Sequence, residues 1–273
     1  MKLYEKGSIN IWSDPYIRKQ LLCAHINPES DAASRKPDTI NTTIDWVLKN
    51  RAAPGSLIDF GCGPGLYANE ISERGWHVVG IDINEESVEY AERYAASKGL
   101  SARYVLGSYL EKLHVGIFDI VTCIYCDFGA LTPDDRMSFL ENVKSLLTVN
   151  GTFVLDVFGE QICQIKSEGR SWSREEEHNF WSESPCYVLT ECQHFKEHNV
   201  WGEKYVVIPD TGQPFSTVIW THYFTVESIT LLLADSGFNV TEINQDLVQE
   251  SDFSSSEVIF IRAEKSNPIN SVR

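Results

Sequence analysis

The segment Asp59-Phe60-Gly61-Cys62-Gly63-Pro64-Gly65 sets a carboxylate and three closely spaced glycines at the end of a short apolar run. Glycines at that spacing let the backbone approach a ligand with no β-carbon in the way. A helix starting just beyond them would aim its first N–H groups at the same ligand. Asp82 closes the next apolar run, about 20 residues on, where a carboxylate accepts both hydroxyls of a ribose. The pattern is not that of a dinucleotide site. The third glycine falls at Gly65, Leu66 fills the slot that G-x-G-x-x-G reserves for glycine, and Asp59 would turn a negative charge toward a pyrophosphate. Asp59 suits instead a ligand carrying ammonium and sulfonium charges. The bland alternatives are a tight turn for the glycines and a helix cap for Asp82.

These residues need strands and helices to place them, and the flanking pattern supplies an α/β alternation. A helix is expected from Pro37 to about Arg51, with Ile40, Ile44, Val47 and Leu48 at helical spacing and Pro37 in its first turn. Strands follow at 57–60, 78–82, 103–106, 118–125 and 152–157, with helices through Ser72, over 85–97 and over 133–147. Strand–helix alternation of this kind makes a doubly wound, mostly parallel sheet with helices on both faces. Residues 160–225 break the rhythm with three β segments, 187–195, 200–209 and 216–224, read as an antiparallel insertion over one end of the sheet. A helix over 225–236 follows, capped by Thr225 and closed by Gly237, then strands at 238–247 and 257–263. The chain is thereby divided into an N-terminal segment 1–36, a domain 37–265 containing the insertion 160–225, and a frayed tail 266–273.

From Pro37 to Val157, and more weakly through the last helix and strands, the chain resembles the class I S-adenosylmethionine-dependent methyltransferases. Asp59 to Gly65 is similar to their first motif and Asp82 to their ribose-binding acid. Phe118-Asp119-Ile120-Val121 resembles the strand leading to their substrate mouth, and Gly151-Thr152-Phe153-Val154-Leu155 their fifth strand. The resemblance implies a seven-stranded sheet whose last strand is antiparallel, with S-adenosylmethionine across the C-terminal strand ends and S-adenosylhomocysteine as product. It implies cofactor contacts from Asp59, Gly61, Cys62, Gly63, Gly65, Asp82 and Ile83. The acid that many members carry after the third strand is replaced by Ser108 and Tyr109, so adenine would be met by the serine hydroxyl, by backbone groups or by Tyr109 packing. The insertion is similar to that of small-molecule N-methyltransferases.

Methyl transfer from a sulfonium needs an in-line nucleophile and a dry site; a base is optional for an amine and useful for a hydroxyl. Tyr125 and Asp127 follow the fourth strand and are expected to face the reacting methyl. Asp127 either orients an ammonium acceptor and takes its proton or caps the following turn. His222 is the histidine placed as a base. Trp172, Trp181, Trp201 and Trp220 form either an aromatic wall for an apolar or cationic acceptor or the insertion's own core. Residues 1–36 are expected to fold as a lid, with Arg35 pairing the cofactor carboxylate and Trp12 and His25 closing the substrate side. His194 and His198 are expected in solvent. Cys123 and Cys126 form a C-x-x-C with no second pair at metal spacing, so no metal site is expected.

Composition narrows the partners. The 23 Lys and Arg against 39 Asp and Glu leave a net charge of −16, which opposes a phosphate-backbone footprint. No apolar stretch reaches the length of a membrane span, and the N-terminus has no signal-peptide core, so a cytoplasmic enzyme acting on a small molecule is expected. Seven cysteines scattered through the elements suggest reduced thiols. The rivals are an NAD(P)-dependent oxidoreductase, opposed by Leu66 and Asp59, and a non-catalytic cofactor-binding protein. The acceptor and the oligomeric state are not written in the sequence.

Overall fold

The computed structural model describes residues 1–51, 53–248 and 257–266. In chain order the helices are α1 (Ile17–His25), α2 (Pro37–Leu48), α3 (Leu66–Glu73), α4 (Glu85–Lys98), α5 (Pro133–Leu146), the single turn α6 (Ile162–Ile165) and α7 (Val226–Asp235). The strands are β1 (Ser56–Phe60), β2 (His77–Asp82), β3 (Arg103–Leu106), β4 (Phe118–Cys123), β5 (Leu147–Gly159), β6 (Gly169–Glu175), β7 (Cys186–Phe195), β8 (Val200–Pro209), β9 (Phe215–Phe224), β10 (Phe238–Asn244) and β11 (Val258–Lys265).

Seven strands make the main sheet in the order β3-β2-β1-β4-β5-β11-β10. β11 alone runs against its neighbours, pairing antiparallel with both β5 and β10, as expected. Strands buried on both faces read as continuous apolar runs: Leu57, Ile58 and Phe60 of β1 and Ile120, Val121 and Cys123 of β4 are all fully enclosed. Two apolar layers pack on the two faces. One centres on Phe139, Phe153 and Phe128, the other on Ile44, Ile71 and Phe260. Local signals fix the helix ends: Asn84 accepts the Ser87 N–H at 3.2 Å to start α4, and Thr225 and Ser228 form a reciprocal cap on α7.

Strands β6 to β9 form an antiparallel sheet, joined to the main one where Phe158 and Gly159 at the end of β5 pair with Tyr223 and Phe224. This attachment puts the insertion over the C-terminal ends of the parallel strands. Three departures from the sequence reading have physical causes. β4 stops at Cys123, short of Tyr125, because Tyr125 and Cys126 take positive φ values of 80° and 60°. β6 escaped notice because nearly all of its residues are exposed, so it carries no alternating pattern and is held by its ladder to β7. α1 lies in the segment 1–36, to which the sequence pattern assigns no helix; Ile17 and Leu21 bury its inner face with Ile11, against Phe180, Trp181 and Ile219 of the insertion. The strand expected to reach Leu247 ends at Asn244. Of the tail 266–273, only Ser266 lies within the described residues.

Gly202 of β8 sits opposite Trp220 of β9, and a β-carbon there would lie 2.5 Å from the indole. Glycine therefore lets Trp220 lie flat across β8. Gly202→Ala is expected to cost about 1–3 kcal/mol by overpacking, read as a lower urea midpoint together with a shifted tryptophan emission.

Candidate active site

The glycine loop between β1 and α3 owes its shape to backbone that only glycine adopts easily. Gly61, Gly63 and Gly65 have φ of 69°, 51° and 76°, in the left-handed region. Space excludes side chains as well: a β-carbon on Gly61 would lie 2.9 Å from Oδ2 of Asp127, and one on Gly65 2.4 Å from the Tyr104 hydroxyl. The N–H groups of Gly61 and Cys62 both donate to the Ile81 carbonyl, at 2.9 and 3.1 Å. The Gly63 N–H donates to Oδ2 of Asp82 at 2.8 Å, while the Asn84 N–H reaches its Oδ1 at 2.7 Å. Asp82 is thus fixed by two backbone donors and keeps lone pairs for a ligand.

Around the loop opens one cavity of about 700 Å³. Its floor holds Asp59, Asp82 and Asp127, with Ile83, Ser108, Tyr109 and Cys62 around them. Burial pushes Asp59 up to about 7, against a 2.7 Å hydrogen bond from Thr122 that favours the carboxylate. Burial likewise pushes Asp127 up to about 6 and raises Asp82. Tyr109 donates to Oδ2 of Asp127 at 2.5 Å and stacks on Phe60 at 5.7 Å. Ser108 spends its hydroxyl oxygen on the Leu110 N–H at 3.1 Å.

Arg35, in the segment before α2, is not among the residues that line this cavity. Its Nη2 lies 2.6 Å from Oδ2 of Asp156, both side chains buried. Burial works against the guanidinium charge, and Asp156 more than offsets it. Oδ1 of Asp156 accepts the Cys126 N–H at 2.8 Å. The Tyr125 hydroxyl donates to the Asp31 carbonyl. Nη1 of Arg35 and the hydroxyl of Tyr67 are buried without a well-formed hydrogen bond among the described residues. Tyr67 lines the cavity and its hydroxyl interacts with Arg35, so a ligand carboxylate such as that at the methionine end of S-adenosylmethionine would meet the Tyr67 hydroxyl with the guanidinium charge beside it. The glycine cradle and the carboxylate of Asp82 fit its nucleoside end.

The far side of the cavity is aromatic. Trp12, Phe180, Trp181, Tyr205, Ile219 and Trp220 line it, and His25 and Leu21 reach it from α1. Of the four insertion tryptophans, Trp181 and Trp220 face the cavity. Trp201 is buried elsewhere against His194, with ring centroids 4.2 Å apart, and Trp172 is exposed. His194 is consequently half-buried, contrary to its expected solvation.

His222 requires a correction. It does not line the cavity; its Nδ1 donates to the Gly129 carbonyl at 2.7 Å, and Tyr4 donates to its Nε2 at 2.9 Å. Burial holds it neutral, down to about 3. With both nitrogens occupied and turned from the cavity, His222 is a strut between β9 and the turn after β4. Asp127 and Tyr125, by contrast, sit with Gly61, Gly63, Asp59, Asp82, Ile83, Ser108 and Tyr109 around one space; Gly65 does not line it and instead packs against the Tyr104 hydroxyl. Sequence reasoning missed Asp156, Tyr67 and Tyr205. For Asp156 a signal existed, a lone charge inside the apolar run Phe153-Val154-Leu155-Asp156-Val157.

Residues 57–151 match a methyltransferase-domain family. A putative methyltransferase of Geobacillus sp. (strain WCH70) is 26% identical over 84% of this chain and 92% of its own length. The ubiquinone biosynthesis O-methyltransferase of Aromatoleum aromaticum is 34% identical over a shorter stretch, 30% of this chain and 36% of that protein. Among solved structures, an S-adenosylmethionine-dependent methyltransferase from Clostridium acetobutylicum superposes with a TM-score of 0.65 at 16% identity, covering 92% of this chain and 97% of that one. The sugar N-methyltransferase KedS8 from Streptoalloteichus sp. gives a TM-score of 0.57 at 17% identity, covering 84% and 87%.

Two outcomes follow from the buried charges. Asp156→Ala leaves Arg35 uncompensated and is expected to cost about 3–5 kcal/mol, measured by chemical denaturation at pH 7. Asp59 and Asp127 are raised from 3.8 to about 7 and about 6 in the folded chain. Their contribution to the ligand-free fold is therefore full below about pH 4 and lost as the pH rises through 6 and 7. Asp59→Asn is expected to flatten the upper part of that loss in Tm measured between pH 5 and 8.

Proposed function

Because the chain carries a methyltransferase domain of the class I, S-adenosylmethionine-dependent type, we propose that it methylates a nitrogen or oxygen of a small molecule and releases S-adenosylhomocysteine. The observation that carries this reading is the single cavity of about 700 Å³ joining the glycine loop to the aromatic wall of the insertion, a volume in the range of small-molecule sites. The net charge of −16 speaks against a nucleic-acid acceptor. No helix of the described residues is long and apolar enough to cross a membrane, which is compatible with a cytoplasmic enzyme.

S-adenosylmethionine supplies a methyl group made electrophilic by its sulfonium. In this reading the chain binds, orients and dries the site. Asp82 takes the ribose hydroxyls and Asp59 faces the ammonium. The Tyr67 hydroxyl, with the Arg35 guanidinium beside it, receives the carboxylate. The loop of Gly61, Cys62, Gly63 and Gly65 passes close beneath, and Ile83, Ser108 and Tyr109 bound the adenine. Residues 1–36 act as the lid, with Trp12 and His25 excluding water from the reacting end. Asp127 is the catalytic carboxylate: Tyr109 fixes its Oδ2, while Oδ1 takes no protein donor among the described residues and is left to orient the acceptor and accept its proton. Tyr125 closes the same wall. The KedS8 likeness and the pairing of insertion with lid favour nitrogen over oxygen.

Calorimetric titration with S-adenosylhomocysteine, with NAD and NADH as controls, tests the reading. Micromolar binding of S-adenosylhomocysteine alone is expected, weakened at least about tenfold by Asp82→Ala through two lost charge-assisted hydrogen bonds. Asp127→Asn is expected to lower kcat about 10²-fold with cofactor affinity unchanged. Nicotinamide binding instead would overturn the proposal.

A further inference from the structure

The acceptor half of the cavity has a composition that selects its ligand. Among the described residues, no lysine or arginine lines the cavity, and of its three carboxylates Asp59 and Asp82 are taken up by the cofactor in that reading, which leaves Asp127 to the acceptor. The opposite wall is Trp12, Phe180, Trp181, Tyr205, Ile219 and Trp220. Trp181 meets Tyr205 with ring centroids 4.8 Å apart and Phe180 edge-on at 4.9 Å. Trp220 is nearly fully buried and braced by Tyr4 at 5.4 Å. Such a wall offers π faces to a cation and apolar area to a hydrocarbon body. It offers nothing to neutralise an anion, and an unpaired buried carboxylate or phosphate is costly.

Resting on the methyl-transfer reading, we propose that the acceptor is an amine on an apolar body of aromatic size, carrying no carboxylate or phosphate. The amine enters against the wall of Trp181, Tyr205 and Trp220 and turns its nitrogen toward Asp127. The bound ammonium first gives one proton to Asp127, which passes it on to water, and this frees the nitrogen lone pair. That pair forms the new N–CH₃ bond while the electron pair of the broken C–S bond stays on the donor sulfur.

The test uses the full chain saturated with S-adenosylhomocysteine and two matched pairs, 2-phenylethylamine against phenylalanine and tryptamine against tryptophan. Within each pair only the carboxylate differs. The amines are expected to bind at least tenfold more tightly by calorimetry, and to take labelled methyl from S-adenosylmethionine at a correspondingly higher kcat/KM. Trp220→Ala is expected to weaken amine binding. Ile219→Arg, which sets a cation on the wall, is expected to narrow or invert the preference at least tenfold. Unchanged S-adenosylhomocysteine affinity certifies that each variant is folded. Equal or tighter binding of the amino acids, no binding of either pair at millimolar concentration, or an unaltered preference in Ile219→Arg would overturn the proposal. Failure of S-adenosylhomocysteine itself to bind the wild-type chain would instead sink the methyl-transfer reading on which it rests.

Discussion

The buried ion pair between Arg35 and Asp156 is the constraint around which the site is arranged. An enclosed charge pair must recover a desolvation cost of several kcal/mol per ion, and this one does so by joining three segments that are remote in sequence. Arg35 belongs to the segment before α2, Asp156 to β5, and the Cys126 N–H that Asp156 also accepts to the turn after β4. That turn places Tyr125 and Cys126 at positive φ, a conformation that costs non-glycine residues on the order of 1–3 kcal/mol each and persists only where the surroundings enforce it. Asp156 enforces it from one side and the Tyr125 hydrogen bond to Asp31 from the other. The bend ends β4 early and delivers Asp127 over Gly61. A salt bridge that is a poor source of net stability is here a source of position.

The same pair explains why the N-terminal segment stays against the cavity. Arg35 sits between the rings of Tyr125 and Phe260, 5.3 and 5.1 Å from their centroids, so the N-terminal segment is anchored at its C-terminal end. At its other end it is anchored by Ile11, Ile17 and Leu21 against the insertion. Between the anchors, α1 carries His25 to the glycine loop, where its ring lies 3.5 Å from the place a β-carbon on Gly63 would occupy. Burial keeps that imidazole neutral, down to about 4. A glycine at 63 therefore serves both the loop and the helix that covers it.

The parts of the fold legible in the sequence were those whose signal is local. Buried parallel strands announce themselves as apolar runs, and Thr225 marks the start of α7 through hydrogen bonds to its own neighbours; Asn84 and Thr132 cap α4 and α5 in the same way. The glycine loop and Asp82 were legible because strand–loop–helix geometry fixes their spacing. What stayed hidden depends on contacts across the chain. β6 exists by pairing with β7, and the direction of His222 depends on Gly129 and Tyr4. Which way Trp201 and Trp220 face depends on the register of β8 and β9, in which Gly202 stands opposite Trp220.

Charge ties these observations together. The cavity floor concentrates three aspartates in a buried space, an arrangement that repels itself unless protons or cations balance it. The buried cation of the neighbouring segment, Arg35, is committed to Asp156. Part of the balance in the ligand-free protein comes from protons, as the raised positions of Asp59 and Asp127 record. In the proposed complex a sulfonium and an ammonium would replace those protons with fixed positive charge beside the carboxylates. Ligand charge and protein charge would then be complementary only together, so that the destabilising electrostatics of the empty site become a source of affinity in the filled one.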